Sequence, residues 1–271
     1  MRTSLRPPSR ASAASSILAY DIETIAPQAD DGSFPPWPLH KPIAIGFAAA
    51  QCRNGVWAFD IEALIATGDV EEADLIRAAD RKMAAADIVT GYNSAQFDAL
   101  VLRLAAQRCR LFDLEALADH VAAHRYSGDH HDLADLYASY GRKVSLAAIA
   151  DQIGIPVKTD VSGGDVATLW AGGEHERIRR YVTEDAVATL CLYLAWRAAR
   201  CADEAAITRP MAALAQHIEA TPDLQHLRAF VDCSLMRWCR PRALKAEIAA
   251  ALTRVTARLR QEEDELAFMA P

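Results

Sequence analysis

Five residues in three short stretches of this chain have the types and spacing of a hydrolytic metal site. Asp21 and Glu23 are two residues apart, and Asp98 stands alone in the first half of the chain. Further along, Tyr181 precedes Asp185 by four residues. Carboxylate oxygens are the ligands that hard cations such as Mg²⁺ and Mn²⁺ prefer. If the four carboxylates converge, they could hold divalent cations and support metal-assisted hydrolysis of a phosphodiester.

Each stretch taken alone also has an ordinary structural explanation. Asp21 and Glu23 leave the same face of a strand, which could simply be a solvated strand end. Asp98 fits the first turn of an amphipathic helix, where an acid interacts favourably with the helix dipole. Tyr181 and Asp185 share a helix face and could be a packed phenol beside a surface acid. The occurrence of all three stretches in this order favours the metal site over three separate coincidences.

Apolar patterning predicts an α/β fold in which a mixed β-sheet is flanked by helices. The predicted strands cover residues 17–22, 43–50, 56–61 and 88–91. Between the second and third of these, Asn54-Gly55 is a strong signal for a tight hairpin turn. The predicted helices cover about residues 71–86, a stretch from near 94, residues 145–153 and residues 174–199. A helical C-terminal extension follows at about residues 202–220, 223–238 and 243–268, with breaks at Pro210, Pro222 and Pro241.

Composition limits the class of protein but not its substrate. The chain has 271 residues, of which 52% are hydrophobic and 24% charged, as expected for a globular protein with a sizeable core. The net charge of −7 does not indicate a nucleic-acid binder, although acidic metal ligands would contribute to it. Six cysteines without a C-x-x-C pair argue against a zinc ribbon or a disulfide framework and favour a reducing, cytoplasmic location. No apolar run reaches the roughly 18 residues of a membrane span.

The three stretches, read in order, resemble the exonuclease motifs of a known superfamily. YDIET at 20–24, GYNSAQFD at 91–98 and YVTED at 181–185 resemble the three motifs of the DEDD superfamily of 3′–5′ exonucleases. The tyrosine four residues before the last acid is typical of the tyrosine-type branch, because a histidine-type member would have histidine where this chain has Arg180. Residues 17–200 are similar to predicted exonucleases related to the proofreading domain of family B DNA polymerases.

The resemblance implies a fold and an activity. It implies an RNase H-like exonuclease domain over residues 17–200, after an N-terminal tail at 1–16 that we expect to be disordered, and before a helical extension at 202–271. It also implies a free-standing enzyme that hydrolyses single-stranded nucleic acid, DNA favoured, from a free 3′ end and releases nucleoside 5′-monophosphates. Two alternatives stay open, namely an exoribonuclease and a nucleic-acid-binding or interaction module without turnover.

The resemblance also implies a role for each motif residue. Asp21, Glu23 and Asp185 would hold one divalent cation, Mg²⁺ or Mn²⁺. Asp21 would bridge to a second cation, and Asp98 would help to hold that one through water. Tyr181 would orient the attacking water molecule.

The candidate substrate contacts are less specific than the metal ligands. Ile22 and Thr24, just after the first acid, would contact the 3′-terminal nucleotide, and Asn93 would line the same groove. Phe97 could stack on a base or pack in the core. Lys158 could contact a phosphate or be an ordinary solvated lysine.

Two weaker patterns lie outside the motifs. His120 and His124 are four residues apart and His130-His131 follow, which could indicate zinc, but without a matching third ligand we expect surface histidines. The basic residues of 228–245 fit a nucleic-acid contact and a solvated surface equally well. The charges of 254–265 indicate a solvated helix face.

Overall fold

A computed structural model describes residues 16–27, 33–68, 70–123, 129–138, 141–156 and 163–269, with side chains through residue 262. Within these residues five strands form one mixed sheet in the order β3-β2-β1-β4-β5. The strands are β1 (Ser16–Ile25), β2 (Lys41–Arg53), β3 (Val56–Ile65), β4 (Ile88–Gly91) and β5 (His130–Asp132). β1 pairs antiparallel with β2 and parallel with β4, so the predicted mixed sheet is confirmed. The expected tail at 1–16 lies outside the described residues, except that Ser16 opens β1.

The β2–β3 connection is the tight hairpin that the sequence predicts. Asn54 and Gly55 both have positive φ, 52° and 80°. This is the backbone geometry that a two-residue hairpin needs and that Asn-Gly adopts readily. β5, in contrast, was not predicted, because its three residues are polar and give no apolar alternation.

Helices cover both faces of the sheet. They are α1 (Glu72–Ala84), α2 (Asp98–Arg108), α3 (Glu115–Ala122), α4 (Leu133–Leu136), α5 (Leu146–Ile153), α6 (Val166–Ala171), α7 (His175–Cys201), α8 (Ala205–Ala220), α9 (Arg228–Asp232) and α10 (Ser234–Met269). α7 crosses β1, β2 and β3 on one face and packs against α8, whereas α1, α2 and α3 pack together on the other face. None of the described helices combines the length and the hydropathy needed to cross a bilayer.

The alternation of β1 decides which way its acids point. Ile17 and Ala19 join the core on the α7 side, whereas Leu18 and Tyr20 join the core on the α1–α3 side. Successive side chains of a strand point to opposite faces, so Asp21 continues the α7 side. Glu23 follows on the same side, because the irregularity in the β1–β2 register comes only after it.

Gly46 allows α7 to lie directly on the sheet. It pairs with Asp21 across the β1–β2 ladder. A Cβ at this position would overlap the carbonyl group of Val182 and lie 3.2 Å from the amide nitrogen of Thr183. The helix turn that carries Tyr181 and Asp185 therefore rests on backbone next to Asp21.

Three predicted helix boundaries are wrong. α2 begins at Asp98, not near Ser94, because residues 94–97 form turns. Pro210 and Pro241 lie inside α8 and α10 instead of breaking them. Proline in a helix interior costs about 3 kcal/mol. Side chains buried near each proline, such as Met211 after Pro210 and Cys239 before Pro241, keep both helices continuous.

Replacing Gly46 with alanine should destabilise the protein and impair the site together. The added methyl group must push α7 away from β2, which we expect to cost about 1–3 kcal/mol in the free energy of unfolding. Denaturant titration measures this cost. Gly163→Ala is the matched control, because its Cβ would have no neighbouring atom within 4 Å, and its change should stay within about 0.5 kcal/mol. Equal stability of the two variants would contradict the close approach of α7.

Candidate active site

Three of the four predicted carboxylates converge. Asp21 and Glu23 of β1 and Asp185 of α7 each have an oxygen, and these three oxygens lie within 4.8 Å of one another. Glu23 and Asp185 are buried, and Asp21 is half-buried. A set of three carboxylate oxygens without a histidine or cysteine fits Mg²⁺ or Mn²⁺ better than zinc.

Asp98 lies beside this cluster and not within it. Its Oδ1 accepts a hydrogen bond of 3.3 Å from the backbone N–H of Ile22, the residue between Asp21 and Glu23. Burial raises the pKa of the Asp98 carboxyl to about 7, although two backbone hydrogen bonds oppose the rise. The carboxyl group is therefore fixed against β1, where burial makes its ionised form unfavourable. A nearby cation would offset this cost.

Tyr181 packs against the acids. Its side chain is buried, and its hydroxyl is hydrogen-bonded to the Asp185 carboxylate. Burial raises the pKa of the phenol well above its ordinary value, and the negative charges of Asp185, Glu23 and Asp21 raise it further. The phenol therefore stays protonated at neutral pH and acts as a hydrogen-bond partner.

A buried carboxylate outside the three motifs fixes the loop before Asp98. Asp132, at the end of β5, accepts hydrogen bonds from the backbone N–H groups of Asn93 at 2.9 Å and Ala95 at 3.0 Å. It also accepts from the N–H of Ala134 at 2.9 Å and so caps α4. Asn93 itself has φ 62°, a left-handed conformation that asparagine tolerates. Asp132 thus holds the turn that leads into α2.

Lys143, which no sequence pattern indicated, contacts the loop before Asp98. Its Nζ donates a hydrogen bond of 2.7 Å to Oδ1 of Asn93 and forms an ion pair of 3.3 Å with Asp135. The positively charged ammonium group of Lys143 therefore lies against the loop that precedes Asp98. No spacing pattern could have linked the lysine to Asn93, because the two are 50 residues apart in the sequence.

The predicted substrate contacts fall into different environments. The Ile22 side chain is buried in the core, and its backbone N–H is bonded to Asp98. A hydrogen bond of 2.6 Å joins Thr24 Oγ1 to Nδ1 of His40. The Phe97 ring lies 4.9 Å from His40 and 5.8 Å from Phe34, centroid to centroid. Phe97 also packs against the α1–α3 core, so its ring contacts both the core and the neighbouring aromatic rings.

Lys158 lies outside the described residues, so its assignment as a phosphate contact stays a prediction.

The expectation of surface histidines is wrong for two of them. His120 and His130 are buried, with ring centroids 3.8 Å apart. A hydrogen bond of 2.8 Å joins His120 Nε2 to the Tyr20 hydroxyl, and one of 3.0 Å joins His130 Nε2 to Ser94 Oγ. Burial lowers the pKa of His120 to about 3 and also lowers that of His130. Both rings are therefore neutral supports between β1 and the Asn93 loop. His124 lies outside the described residues.

Comparison with known families agrees with the motif geometry. Residues 32–234 match a family described as a predicted 3′–5′ exonuclease related to the exonuclease domain of PolB. This chain belongs to that family. The resemblance read from the three motifs is thereby confirmed. The match includes Asp98, Tyr181 and Asp185 and begins after Asp21 and Glu23, whose place in the site rests on the β1 geometry described above.

Among solved structures, the chain is similar to the family B DNA polymerase from the hyperthermophilic archaeon Pyrobaculum calidifontis, with a TM-score of 0.42 and 17% sequence identity. The similarity covers 79% of this chain and 27% of the polymerase chain, and the match thus spans about a quarter of the polymerase's length. No curated protein matches the chain.

Replacing Asp98 with asparagine should stabilise the metal-free protein at pH 8. The folded-state pKa of about 7 lies above the ordinary value near 3.9. The cost of the buried charge is therefore absent at low pH, grows as the pH rises between these two values, and is complete above the folded pKa. Asparagine keeps an oxygen for the Ile22 N–H but has no charge. In EDTA, the melting temperature of Asp98→Asn should exceed that of wild type at pH 8, with a smaller difference at pH 6. A lower melting temperature of Asp98→Asn than of wild type at pH 8 would contradict the raised pKa of Asp98.

Proposed function

We propose that this protein is a metal-dependent exonuclease that removes nucleotides from the free 3′ end of single-stranded nucleic acid, DNA favoured, and releases nucleoside 5′-monophosphates. Membership of the exonuclease family supports the reaction class. The observation that carries the metal dependence is the set of carboxylate oxygens of Asp21, Glu23 and Asp185, mutually within 4.8 Å. Tyr181 against Asp185 and Asp98 against Ile22 complete the constellation.

In this proposal the carboxylates hold two divalent cations, Mg²⁺ or Mn²⁺. Asp21, Glu23 and Asp185 would hold the first, and Asp21 would also contribute to the second. Asp98 helps to hold the second through water, from the position in which the Ile22 N–H fixes it. Divalent cations at such a site lower the pKa of bound water and neutralise charge that develops on the phosphate.

Tyr181 positions the attacking water in this proposal. Its raised pKa keeps the phenol protonated, so it is unsuited to take a proton at neutral pH. Its hydroxyl can instead hold a water molecule in one orientation beside Asp185. Positioning groups of this kind contribute by converting a loosely held reactant into a well-oriented one.

An aromatic cluster beside the acids supports a single-stranded substrate. Phe34 is 75% exposed, and it lies next to His40 and Phe97. His40 is bonded to Thr24, the residue after Glu23. Aromatic faces bind unpaired bases of any sequence by stacking. Asn93 and Lys143 add polar groups to the loop before Asp98 and could contact the sugar-phosphate backbone.

The decisive experiment follows the shortening of 5′-labelled single-stranded DNA and RNA with Mg²⁺, Mn²⁺ or EDTA. We expect cleavage from the 3′ end with either metal and none in EDTA. Asp185→Ala should lower the rate by more than the roughly 10–100-fold that loss of an outer-shell partner costs, because a direct ligand is removed. Glu184→Gln is the matched control, since it removes a neighbouring charge that is not part of the cluster.

Other outcomes of this assay would favour one of the alternative functions. Cleavage of RNA alone would make the protein an exoribonuclease. Binding of either strand without cleavage in any metal would favour the interaction module. Wild-type cleavage by Asp185→Ala would show the metal assignment to be wrong.

Tyr181→Phe separates positioning from binding. The change keeps the buried ring and removes only the hydroxyl, so metal and substrate affinity should change little. We expect kcat to fall by about 10²-fold, which is roughly what the misplacement of a reactant costs. Steady-state kinetics on single-stranded DNA measures this. A loss confined to KM would make Tyr181 a substrate contact, and an unchanged kcat would leave it a packing residue.

A further inference from the structure

The last part of α10 leaves the body of the protein. Met236, Cys239 and Ala243 are buried where α10 packs against α8. From residue 251 to residue 262, every position is exposed, so this part of the helix has solvent on all sides. In proteins most of the stability of a helix comes from the packing of its amphipathic face against other elements. A projecting helix is therefore expected to gain stability from a partner.

An apolar stripe begins just before the projecting part and continues along it. Ile248, Leu252, Val255 and Leu259 are spaced by four, three and four residues, and each is between 52% and 62% exposed. This spacing is that of alternating a and d positions in a coiled coil, where apolar side chains face a second helix. The charges at 254–265 expected on a solvated face occupy positions between and beside this stripe. The helix is therefore amphipathic, although nothing in the described residues covers its apolar side.

We propose that this stripe pairs with the same stripe of a second copy of the chain, with the two helices antiparallel and the two-fold axis between residues 253 and 254. In this register Leu252 faces Val255 of the second copy, and Ile248 faces Leu259 of the second copy. Both contacts occur twice because of the symmetry. The four apolar side chains of the stripe on each helix are then covered.

Charge complementarity selects the antiparallel orientation. Lys245 lies one heptad before Leu252, and Glu262 lies one heptad after Val255. The same register therefore places Lys245 against Glu262 of the second copy, again twice. A parallel pair would oppose Lys245 to Lys245 and Glu262 to Glu262, and like charges at such positions disfavour the pairing. Glu262 already accepts a hydrogen bond of 2.8 Å from Arg258 of its own helix, and its second oxygen can receive Lys245.

Other antiparallel registers are worse. A shift of one heptad toward the C-terminus places Glu262 against Leu252 of the second copy and brings the two Arg258 side chains together. A shift in the opposite direction places Lys245 against Val255. Only the register centred between residues 253 and 254 matches the apolar residues with each other and the lysine with an acid. α10 begins where the match to the exonuclease family ends, so the proposal does not depend on the proposed function.

The mass of the full-length chain in solution, measured by light scattering over a micromolar concentration series, tests the pairing. We expect a concentration-dependent dimer. Leu252→Glu should raise the dimer Kd by about a hundredfold, because a buried leucine is lost twice. Ala257→Glu adds the same charge on the opposite face and should leave the Kd unchanged. A monomer at every concentration, or equal weakening by both variants, would overturn the proposal.

A charge exchange tests the orientation. Lys245→Glu alone should weaken the dimer, since it opposes two acids at each end. The double variant Lys245→Glu/Glu262→Lys should restore the wild-type Kd, because the antiparallel pair is rebuilt with reversed sign. A parallel dimer would not recover, since like charges would still face each other. A double variant that stays as weak as the single one would therefore overturn the antiparallel register.

Discussion

The close contact between helix α7 and Gly46 is the constraint on which the candidate site depends. It brings Asp185 to the strand that carries Asp21 and Glu23, although carboxylates held about 4 Å apart repel by about 4 kcal/mol per pair at an effective dielectric near 20. Many buried apolar side chains of α7 oppose this repulsion, and α7 also closes the core on its side of the sheet. Packing therefore holds the three carboxylates together, and the cation binding that we propose should stabilise the whole fold.

A layer of buried polar contacts lies behind the carboxylates on the other side of β1. Tyr20 is bonded to His120, His120 lies against His130, and His130 is bonded to Ser94. A buried polar group is costly unless it is hydrogen-bonded, so this chain of contacts permits few alternative arrangements. Together with Asp132, it fixes the loop before Asp98 relative to β1. The precision of the site thus comes from residues outside the carboxylate cluster.

The helices of the C-terminal extension differ in how far they are buried. α8 packs against α7 and β3 and contributes to the same core as the sheet. The distal part of α10 makes no such contacts in the described residues and exposes its apolar stripe. α8, which follows the last motif, is therefore part of the core and not a separate extension. No described residue covers the stripe on α10, which is the surface that we assign to a second copy of the chain.

The sequence by itself determined the local geometry and the family. Strand alternation placed Asp21 and Glu23 on one face, helical spacing placed Tyr181 beside Asp185, and Asn54-Gly55 predicted the hairpin. Tertiary structure alone decided the convergence of these groups, the bond from Ile22 to Asp98 across 76 residues, the bond from Asn93 to Asp132 across 39, and the burial of the histidines. It also decided that α10 continues through Pro241. The reason is physical: periodicity records which face of an element is apolar, whereas long-range contacts depend on how separate elements pack.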